Sequence, residues 1–274
     1  MRIGIHLPQF GKAISPGGVQ RAARAAEEHG FDDLWVSDHL VIPKEQSYPA
    51  PYILDPLTTL SFAAAVTERV GIGTSVLVGP QYASPLQLAN TLASLDAMSN
   101  GRLVVGIGIG WSKREYDALG GHFDRRGARL DEMIGLFRTV WENSTADFEG
   151  TFYPSFEQIR VLPQPAHRIP IWIGGSSPAA MRRAVRNDGH HAMDVKPEET
   201  KAYVEGLRER RSDADFTISM RVSWNVHDVE VGAVAARIGA YRAAGIDALY
   251  VCPDRGDIEA WLGAQEALAQ AVLR

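Results

Sequence analysis

The sequence predicts an α/β fold, specifically a (β/α)8 TIM barrel with insertions at the C-terminal face of the barrel. Short apolar runs alternate along the chain with longer amphipathic stretches, which is typical of repeated βα units. The length of 274 residues also suits one barrel, since such a barrel takes about 250 residues. We therefore expect a single domain over residues 1–274. An open, doubly wound sheet of about six strands is the alternative.

Eight short runs are predicted as β-strands. The third run is rich in β-branched residues, and the seventh alternates between apolar and polar side chains. The sixth run, which contains His190 and His191, has the weakest strand pattern. In chain order, the predicted strands cover residues 3–7, 34–36, 70–78, 103–109, 170–173, 190–195, 216–222 and 248–251.

Helical spacing of apolar residues separates most of these strands. Gly30 follows the first helix at the position where a left-handed residue ends many helices, and Pro85 stands at a helix start, where its missing N–H is harmless. Residues 142–170 are irregular, but their apolar content predicts a packed insertion. The predicted helices cover residues 18–29, 57–67, 85–98, 129–141, 231–244 and 258–273, with one more from about residue 178.

The composition argues against several functional classes. A net charge of −5 gives no overall basic surface for nucleic acid. Cys252 is the single cysteine, so neither an internal disulfide nor a cysteine-based zinc cluster can form. Adjacent strand residues point to opposite faces, which keeps His190 and His191 from sharing one ion, and we expect no metal site. No apolar stretch is long enough to span a membrane. We expect a cytoplasmic protein that acts on a small molecule, without a nucleic-acid or membrane partner.

The candidate catalytic residues are Asp38 and His39. Reactive groups of TIM barrels lie at the C-terminal ends of the strands, and Ser37, Asp38 and His39 directly follow the second predicted strand. His39 could exchange a proton with a bound ring there. The residues leave a second interpretation open, in which Asp38 caps a turn and His39 faces solvent.

Two strand ends carry small residues that suit close approach to a flat ligand. Thr74 and Ser75 interrupt the apolar third strand, although plain core packing explains them as well. The fourth strand ends in the alternating glycines of the segment GIGIGW at 106–111. A dinucleotide-binding fingerprint needs a third glycine where Trp111 stands, so we reject that interpretation. Gly106 and Gly108 could bring backbone close to an isoalloxazine ring, or they could simply form a tight turn.

The segment after the fifth strand is typical of an anion site. Gly174, Gly175, Ser176 and Ser177 follow a short apolar strand, and Pro178 stands at a helix start. Backbone N–H groups, serine hydroxyls and the helix dipole together suit a phosphate. Simple capping of the helix by Ser177 is the equally plain alternative.

Taken in order, six segments resemble the luciferase-like monooxygenase superfamily, specifically its branch of actinobacterial type that depends on the deazaflavin coenzyme F420. The resemblance covers about residues 1–190. Each segment is short, but the ordered set is specific. The segments are GFDDLWVSDH at 30–39, DPLTTL at 55–60, TERVGIGT at 67–74, LDAMSNGRL at 95–103, VGIGIGW at 105–111 and PIWIGG at 170–175.

The resemblance implies roles for the candidate residues. A non-prolyl cis peptide at Ser75-Val76 would back the pyrimidine side of the ring system, with Asp38 and His39 near the ring. Gly106 and Gly108 would line the approach to it. The phosphate would be held by Gly174, Gly175, Ser176 and Ser177. Members of this family are often homodimers, so we expect a homodimer here.

The implied activity is hydride transfer between C5 of F420 and a small organic substrate, with His39 as proton donor or ring-orienting group and Asp38 tuning it. An FMN-dependent monooxygenase, a non-catalytic flavin-binding protein and a phosphate-binding barrel isomerase are the alternatives. Sugar-phosphate dehydrogenases of the family place a catalytic glutamate in the fourth-strand loop. Here the matching region reads Gly108-Ile109-Gly110, which argues against that activity. Relatives often have Asp-Gly-Trp where this chain has Asp188-Gly189-His190.

Overall fold

The computed structural model describes residues 1–45, 52–225, 229–254 and 256–273. Its strands are β1 (Arg2–His6), β2 (Asp33–Val36), β3 (Gly71–Thr74), β4 (Leu77–Val78), β5 (Leu103–Gly108), β6 (Ala146–Phe148), β7 (Phe156–Ile159), β8 (Ile171–Gly174), β9 (Gly189–Met193), β10 (Thr217–Asn225) and β11 (Ala248–Asp254). Its α-helices are α1 (Gly18–His29), α2 (Pro56–Ala64), α3 (Pro85–Met98), α4 (Lys113–Ala118), α5 (Arg126–Glu142), α6 (Pro178–Ala184), α7 (Pro197–Arg208), α8 (Val231–Ala243) and α9 (Ile258–Val272).

Nine of these strands form one closed parallel sheet. Hydrogen bonds link them in the order β3-β2-β1-β11-β10-β9-β8-β5-β4, and pairing of β3 with β5 closes the circle. β3 and β4 together occupy one position, because the third predicted strand is divided by a cis peptide bond between Ser75 and Val76. The sheet is therefore an eight-position (β/α)8 barrel, which confirms the predicted fold class and excludes the open sheet.

Every predicted strand is present with ends shifted by a few residues, but two helices were not predicted. α4 is only six residues long. α7 buries Thr200, Val204 and Leu207. This buried stripe is so narrow that the mostly polar sequence does not show the apolar periodicity of an amphipathic helix. Among the described residues, none of the helices combines the length and apolar character that crossing a membrane requires.

The excursion at residues 142–170 packs against the barrel, as its apolar content predicted. β6 and β7 pair in antiparallel orientation, and Phe148, Tyr153 and Phe156 contact the main core. Glu132 of α5 accepts the backbone N–H groups of residues 151–153, which fixes the excursion along that helix. Residues 37–39 after β2 and residues 109–111 after β5 begin at the carboxyl ends of the barrel strands.

The lower interior of the barrel is filled by large aromatic side chains. Trp35, Trp172 and Tyr250 form a buried cluster, with ring centroids of Trp35 and Tyr250 3.8 Å apart. Gly73 makes room for this cluster, because a Cβ atom there would lie 2.4 Å from the Trp35 ring. The cluster thus fills the interior beneath the carboxyl ends of the strands, where TIM-barrel enzymes bind their ligands.

Candidate active site

A cavity of about 700 Å³ opens at the carboxyl ends of the barrel strands. This volume lies within the range of about 300–1,000 Å³ that small-molecule and cofactor sites occupy. Its walls come from segments after β2, β5 and β8, from the break between β3 and β4, and from the ends of β9, β10 and β11. The lining includes Phe10, Ser37, Asp38, His39, Ser75, Val76, Val78, Gly108, Ile109, Gly110, Trp111, Gly174, Gly175, Ser176, His191, Met193, Arg221, Trp224 and Cys252.

Most of the residues predicted for the site meet at this cavity. Two of them do not line it: a Cβ atom at Gly106 would lie 2.0 Å from the carbonyl oxygen of Thr74, and the hydroxyl of Ser177 accepts the backbone N–H of Ala180. The roles assigned to all ten residues stay predictions. Those that line the cavity are Asp38, His39, Ser75, Val76, Gly108, Gly174, Gly175 and Ser176.

The alternating glycines accommodate the Val76 side chain. A Cβ atom would lie 2.9 Å from a Val76 methyl group at Gly108 and 2.8 Å from one at Gly174. Since real Cβ contacts are almost never this short, larger residues at these positions would displace Val76. Glycine on β5 and β8 thus permits the Ser75-Val76 cis peptide to present Val76 as part of the cavity wall. Approach of the glycine backbone to a ligand stays a prediction.

Asp38 is buried and binds the neighbouring strand. Only 2% of the residue is exposed, and one carboxylate oxygen accepts the backbone N–H of Val78 at 2.8 Å. Burial raises the pKa of Asp38 to about 7, against the lowering effects of the Val78 N–H and of His39. The carboxyl group therefore titrates near neutral pH at the edge of the cavity. It links β2 to β4 and does not cap a turn of its own segment.

His39 is paired with a glutamate that the sequence analysis missed. Its Nδ1 atom lies 2.9 Å from Oε1 of Glu115, whose side chain is 1% exposed. The side chain of His39 is itself only 13% exposed and lies edge-on to the ring of Trp111. The solvent-facing interpretation of His39 is therefore wrong. Ser112 caps α4, and the Ser-x-x-Glu spacing of a capping box was the available signal for Glu115.

The cavity floor contains a buried hydrogen-bond network around Arg221. Its guanidinium donates to the hydroxyl of Ser37 at 2.8 Å and to the carbonyl oxygen of Ser75 at 3.3 Å. His6 contacts the same Ser37 hydroxyl at 2.9 Å, and His191 contacts the Ser75 hydroxyl at 2.8 Å. The network joins β1, β2, β9 and β10 beneath the break between β3 and β4.

Burial and the Arg221 charge keep both floor histidines neutral. Burial, with a further contribution from Arg221, lowers the pKa of His6 to about 3. The same two causes, with a smaller one from His190, lower the pKa of His191 well below its usual range. Arg221 is thus the positive charge of the floor. The available sequence signal was a charged residue at one of the polar positions of the alternating strand.

The turn between β8 and α6 is held from below by His190. The Nε2 atom of His190 lies 2.7 Å from the carbonyl oxygen of Gly175, and its Nδ1 atom contacts the hydroxyl of Tyr203. Burial lowers the pKa of His190 to about 4, so this residue is a neutral structural support. Gly175 has a φ of +115°, a conformation that favours glycine. Ser176 is exposed at the cavity.

Ser177 caps α6, as the alternative interpretation of this segment predicted. α6 has only seven residues, so the helix dipole that the sequence suggested is a minor contribution. The predicted phosphate site therefore depends on the backbone N–H groups of this turn and on the Ser176 hydroxyl. His190 and His191 point to opposite faces, and no group of His, Cys, Asp and Glu side chains suited to a metal ion occurs among the described residues.

Curated relatives of this chain are similar over most of its length. It is 35% identical over 230 residues to the F420-dependent glucose-6-phosphate dehydrogenase of Nakamurella multipartita, a match that covers 79% of this chain and 65% of that protein. It is 30% identical over 230 residues to the enzyme of the same name from Amycolatopsis mediterranei, covering 79% of this chain and 67% of the relative. The chain thus spans about two thirds of the length of the relatives that it matches.

Solved structures share the fold along the whole chain. A monooxygenase from Streptomyces bottropensis superposes with a TM-score of 0.79 at 24% identity, covering 100% of this chain and 99% of the other. An F420-dependent secondary alcohol dehydrogenase, in complex with an F420-acetone adduct, superposes with a TM-score of 0.81 at 19% identity, covering 99% and 98%. At these identities the likeness shows the barrel architecture. The family model of the luciferase-like monooxygenases matches residues 1–270, and the chain belongs to that family.

Proposed function

We propose that this chain is an F420-dependent oxidoreductase that transfers a hydride between C5 of the deazaflavin and a small organic substrate. The observation that carries the proposal is the His39–Glu115 pair at a cavity whose wall includes the apolar side chain of Val76. Curated relatives at 30–35% identity are named for F420-dependent dehydrogenation, which supports the choice of cofactor.

The residues of the cavity fit a flat cofactor that carries a phosphate. Val76, Val78 and Ile109 supply an apolar wall, and the Ser75 hydroxyl and Arg221 supply polar groups at the floor. The turn at 174–176 offers backbone N–H groups and a free hydroxyl for the phosphate. The cavity size agrees with such a ligand. When bound, the deazaflavin supplies the two-electron hydride chemistry of its C5 atom.

His39 is the residue suited to hold or move a proton. In the proposed mechanism Glu115 is an ionised carboxylate that accepts from Nδ1–H of His39, and Nε2 is the nitrogen that serves the substrate. Glu115 is in turn contacted by the side-chain amide of Gln81 at 3.4 Å. The pair therefore fixes the tautomer and the orientation of His39, as carboxylates do for catalytic histidines in other enzymes. A substrate carbonyl oxygen near Nε2 would receive its proton there.

Other residues of the chain orient the ligands and exclude water. Trp111 is 58% exposed beside His39 at the rim of the cavity, where a substrate would cover it. Phe10, Met193 and Trp224 add apolar surface to the lining. Asp38 sits beneath His39 and fixes β4, and its pKa of about 7 makes its charge sensitive to pH in the working range.

Titration of the purified protein with F420 and with FMN, each followed by ligand fluorescence, tests the proposal. We expect saturable binding of F420 in the micromolar range or tighter and weak binding of FMN. Tight binding of FMN with oxygen-dependent turnover would instead indicate the monooxygenase alternative. Binding of F420 without hydride exchange with any unsaturated acceptor would favour a binding protein, and binding of neither cofactor would refute the proposal.

Substitution of His39 separates catalysis from cofactor binding. His39→Ala should abolish turnover, by a factor of about 100 or more, while the affinity for F420 changes little. Unchanged turnover would remove His39 from the mechanism. Glucose 6-phosphate belongs among the tested substrates because of the relatives' names. The sequence departure at 108–110 argues against its turnover, but Glu115, which follows the same strand, supplies a carboxylate beside His39, so the assay decides this point.

Substitution of Ser176 tests the phosphate assignment. The combined Ser176→Ala and Ser177→Ala change should weaken F420 through its phosphate, but loss of the Ser177 cap also costs about 1 kcal/mol of stability. Ser176→Ala alone is therefore the cleaner variant, with Ser177→Ala as its stability control. Equal F420 affinity for Ser176→Ala and wild type would refute the placement of the phosphate.

The proposal also includes a homodimer, a single domain over residues 1–274 and action in the cytoplasm. Analytical ultracentrifugation of the purified protein measures the oligomeric state.

A further inference from the structure

We propose that Arg125, Arg126 and Arg129 form a subsite for an anionic tail that extends beyond the phosphate of the bound cofactor. We call these three residues the arginine cluster. The ligand chemistry that fits it is a short chain of carboxylates, such as the oligoglutamate tail that F420 carries. The inference rests on the proposed function, because it places a tail of the same cofactor.

The arginine cluster is positively charged without an acidic partner. None of its three side chains forms an ion pair with a carboxylate among the residues that the structure describes. The contrast with a nearby arginine is informative: Arg183 of α6 is buried and bound by Asp131 at 2.6 Å. Asp131 also lies 3.5 Å from Arg186, so the acidic side chain closest in sequence to the cluster on α5 is already occupied.

Aromatic rings hold the guanidinium groups in place. Arg125 and Arg129 lie over the ring of Phe152, at 4.6 and 4.8 Å from its centroid. Arg126 lies over the ring of Phe123 at 3.7 Å and donates to the carbonyl oxygen of that residue. Stacking of this kind leaves guanidinium nitrogen atoms for carboxylates, and because Nε of Arg126 and of Arg129 is buried, the terminal nitrogen atoms of these two residues are the ones that the proposal uses. It also lowers the entropy lost on binding, since the side chains are already ordered.

Contacts from the cavity wall place the cluster at the same face of the barrel. Tyr116 donates to the carbonyl oxygen of the cavity residue Ile109 at 2.7 Å. The ring of Phe123 packs edge-on against that of Tyr116, with centroids 5.5 Å apart. Arg126 covers the ring of Phe123. A continuous series of contacts therefore leads from the cavity wall to the arginine cluster.

A second contact joins the first turn of α5 to α6, the helix that follows the turn at 174–177. α6 follows that turn directly, and Arg183 of α6 donates to the carbonyl oxygen of Gly127 in the first turn of α5 at 3.0 Å. Gly127 is the residue after Arg126. A chain of carboxylates that leaves a phosphate at Gly175 and Ser176 would thus pass along α6 towards α5, and its charge would be attracted by the cluster.

Binding of cofactor forms with different tails tests the inference without reference to turnover. The probes are the deazaflavin riboside, which lacks phosphate, the phospholactyl form without glutamate, and the form with a long oligoglutamate tail. Dissociation constants are measured by fluorescence anisotropy for wild type, for Arg125→Gln with Arg126→Gln, and for Arg24→Gln. Arg24 is an exposed arginine of α1, on the opposite side of the barrel, and serves as the matched control.

We expect wild type and Arg24→Gln to bind the long-tailed form about tenfold more tightly than the phospholactyl form, a preference that the double variant largely loses. Added salt should reduce the preference, and the affinity for the riboside should be the same in all three proteins. If the double variant has a lowered melting temperature, the exposed single variant Arg125→Gln, with an expected loss of about threefold, decides the question.

Four outcomes would overturn the inference. A wild-type affinity that is independent of the tail, or a tail preference retained by every arginine variant, refutes the subsite while leaving the proposed function intact. A change confined to the KM of an anionic substrate would show that the cluster serves the substrate instead. Failure of every form to bind wild type, the riboside included, refutes the proposed function and this inference together.

Discussion

Introduction of a single methyl group at Gly174 should disrupt the wall of the cavity. A Cβ atom at Gly174 would lie 2.8 and 2.9 Å from the two methyl carbons of Val76 and 3.4 Å from its Cβ atom. Carbon atoms pack best at about 3.5–4.0 Å, so both methyl contacts are too short by roughly 0.7 Å. Overpacking of this kind costs about 1–3 kcal/mol. We therefore expect Gly174→Ala to lower the free energy of unfolding by that amount.

Removal of the two Val76 methyl groups should relieve the conflict. In Val76→Ala the remaining Cβ atom lies at the ordinary contact distance of 3.4 Å from the added methyl group. Val76→Ala alone should cost about 1 kcal/mol, because the residue is only partly buried. The combined variant should then be more stable than the sum of the single changes predicts, by about 1–2 kcal/mol.

Urea denaturation of wild type, both single variants and the combined variant measures this coupling. Gly135→Ala is the matched control, since a Cβ atom at that exposed position of α5 has open space, and the change should stabilise the protein by about 0.5–1 kcal/mol. Additivity of the two changes within about 0.5 kcal/mol would refute the reasoning. So would a Gly174→Ala variant of normal stability that has lost cofactor affinity, because glycine would then serve the ligand directly.

Three further predictions concern the polar side chains of Asp38, Glu115 and Arg102. Asp38 has a pKa of about 7 in the folded protein against about 3.9 when unfolded, so stability is lost as pH rises from about 4 to 7. Asp38→Asn, which can still accept from Val78, should remove this loss, and urea titrations near pH 5 and near pH 8 would show a growing difference from wild type. Glu115→Gln should reduce kcat about 10- to 100-fold with KM for the cofactor unchanged, because His39 loses its charged partner; an unaltered kcat would contradict this. Arg102→Gln should lower the free energy of unfolding by about 2–4 kcal/mol, measured by urea or thermal denaturation. The guanidinium of Arg102 makes five hydrogen bonds to the C-terminal ends of α2 and α3 and to the segment after α2. A loss below about 1 kcal/mol would contradict this account.

The barrel could be predicted because its evidence is local and repeated. Each βα unit has its own apolar pattern, so an error in one unit leaves the others intact. α4 is too short to show helical periodicity, and α7 was missed because its buried stripe is one residue wide per turn. The break between β3 and β4 has no local signal: Ser75 and Val76 lie in a continuous strand pattern, and only the resemblance to a family indicated a cis peptide there.

The site was predictable where it follows a strand end and was not predictable where it depends on distant pairing. Asp38 and His39 could be located because a strand precedes them. Glu115 is 76 residues from His39 in the sequence, and Arg221 is 184 residues from its partner Ser37. No periodicity or spacing rule connects residues so far apart, because the closed sheet alone decides which strand ends become neighbours.

The charge distribution of the cavity supports the proposal that His39, and not another histidine of the cavity, exchanges a proton with the substrate. Burial, assisted by the positive charge of Arg221, lowers the pKa of His6 to about 3 and that of His191 well below its usual range, so neither residue carries a proton to donate as a cation at neutral pH. His39 instead lies against the side-chain carboxyl group of Glu115, with Nδ1 2.9 Å from Oε1. The Glu115 contact holds the ring of His39 at the cavity, whereas the other two histidines are bound within the floor network, which supports the proposal that His39 exchanges the proton.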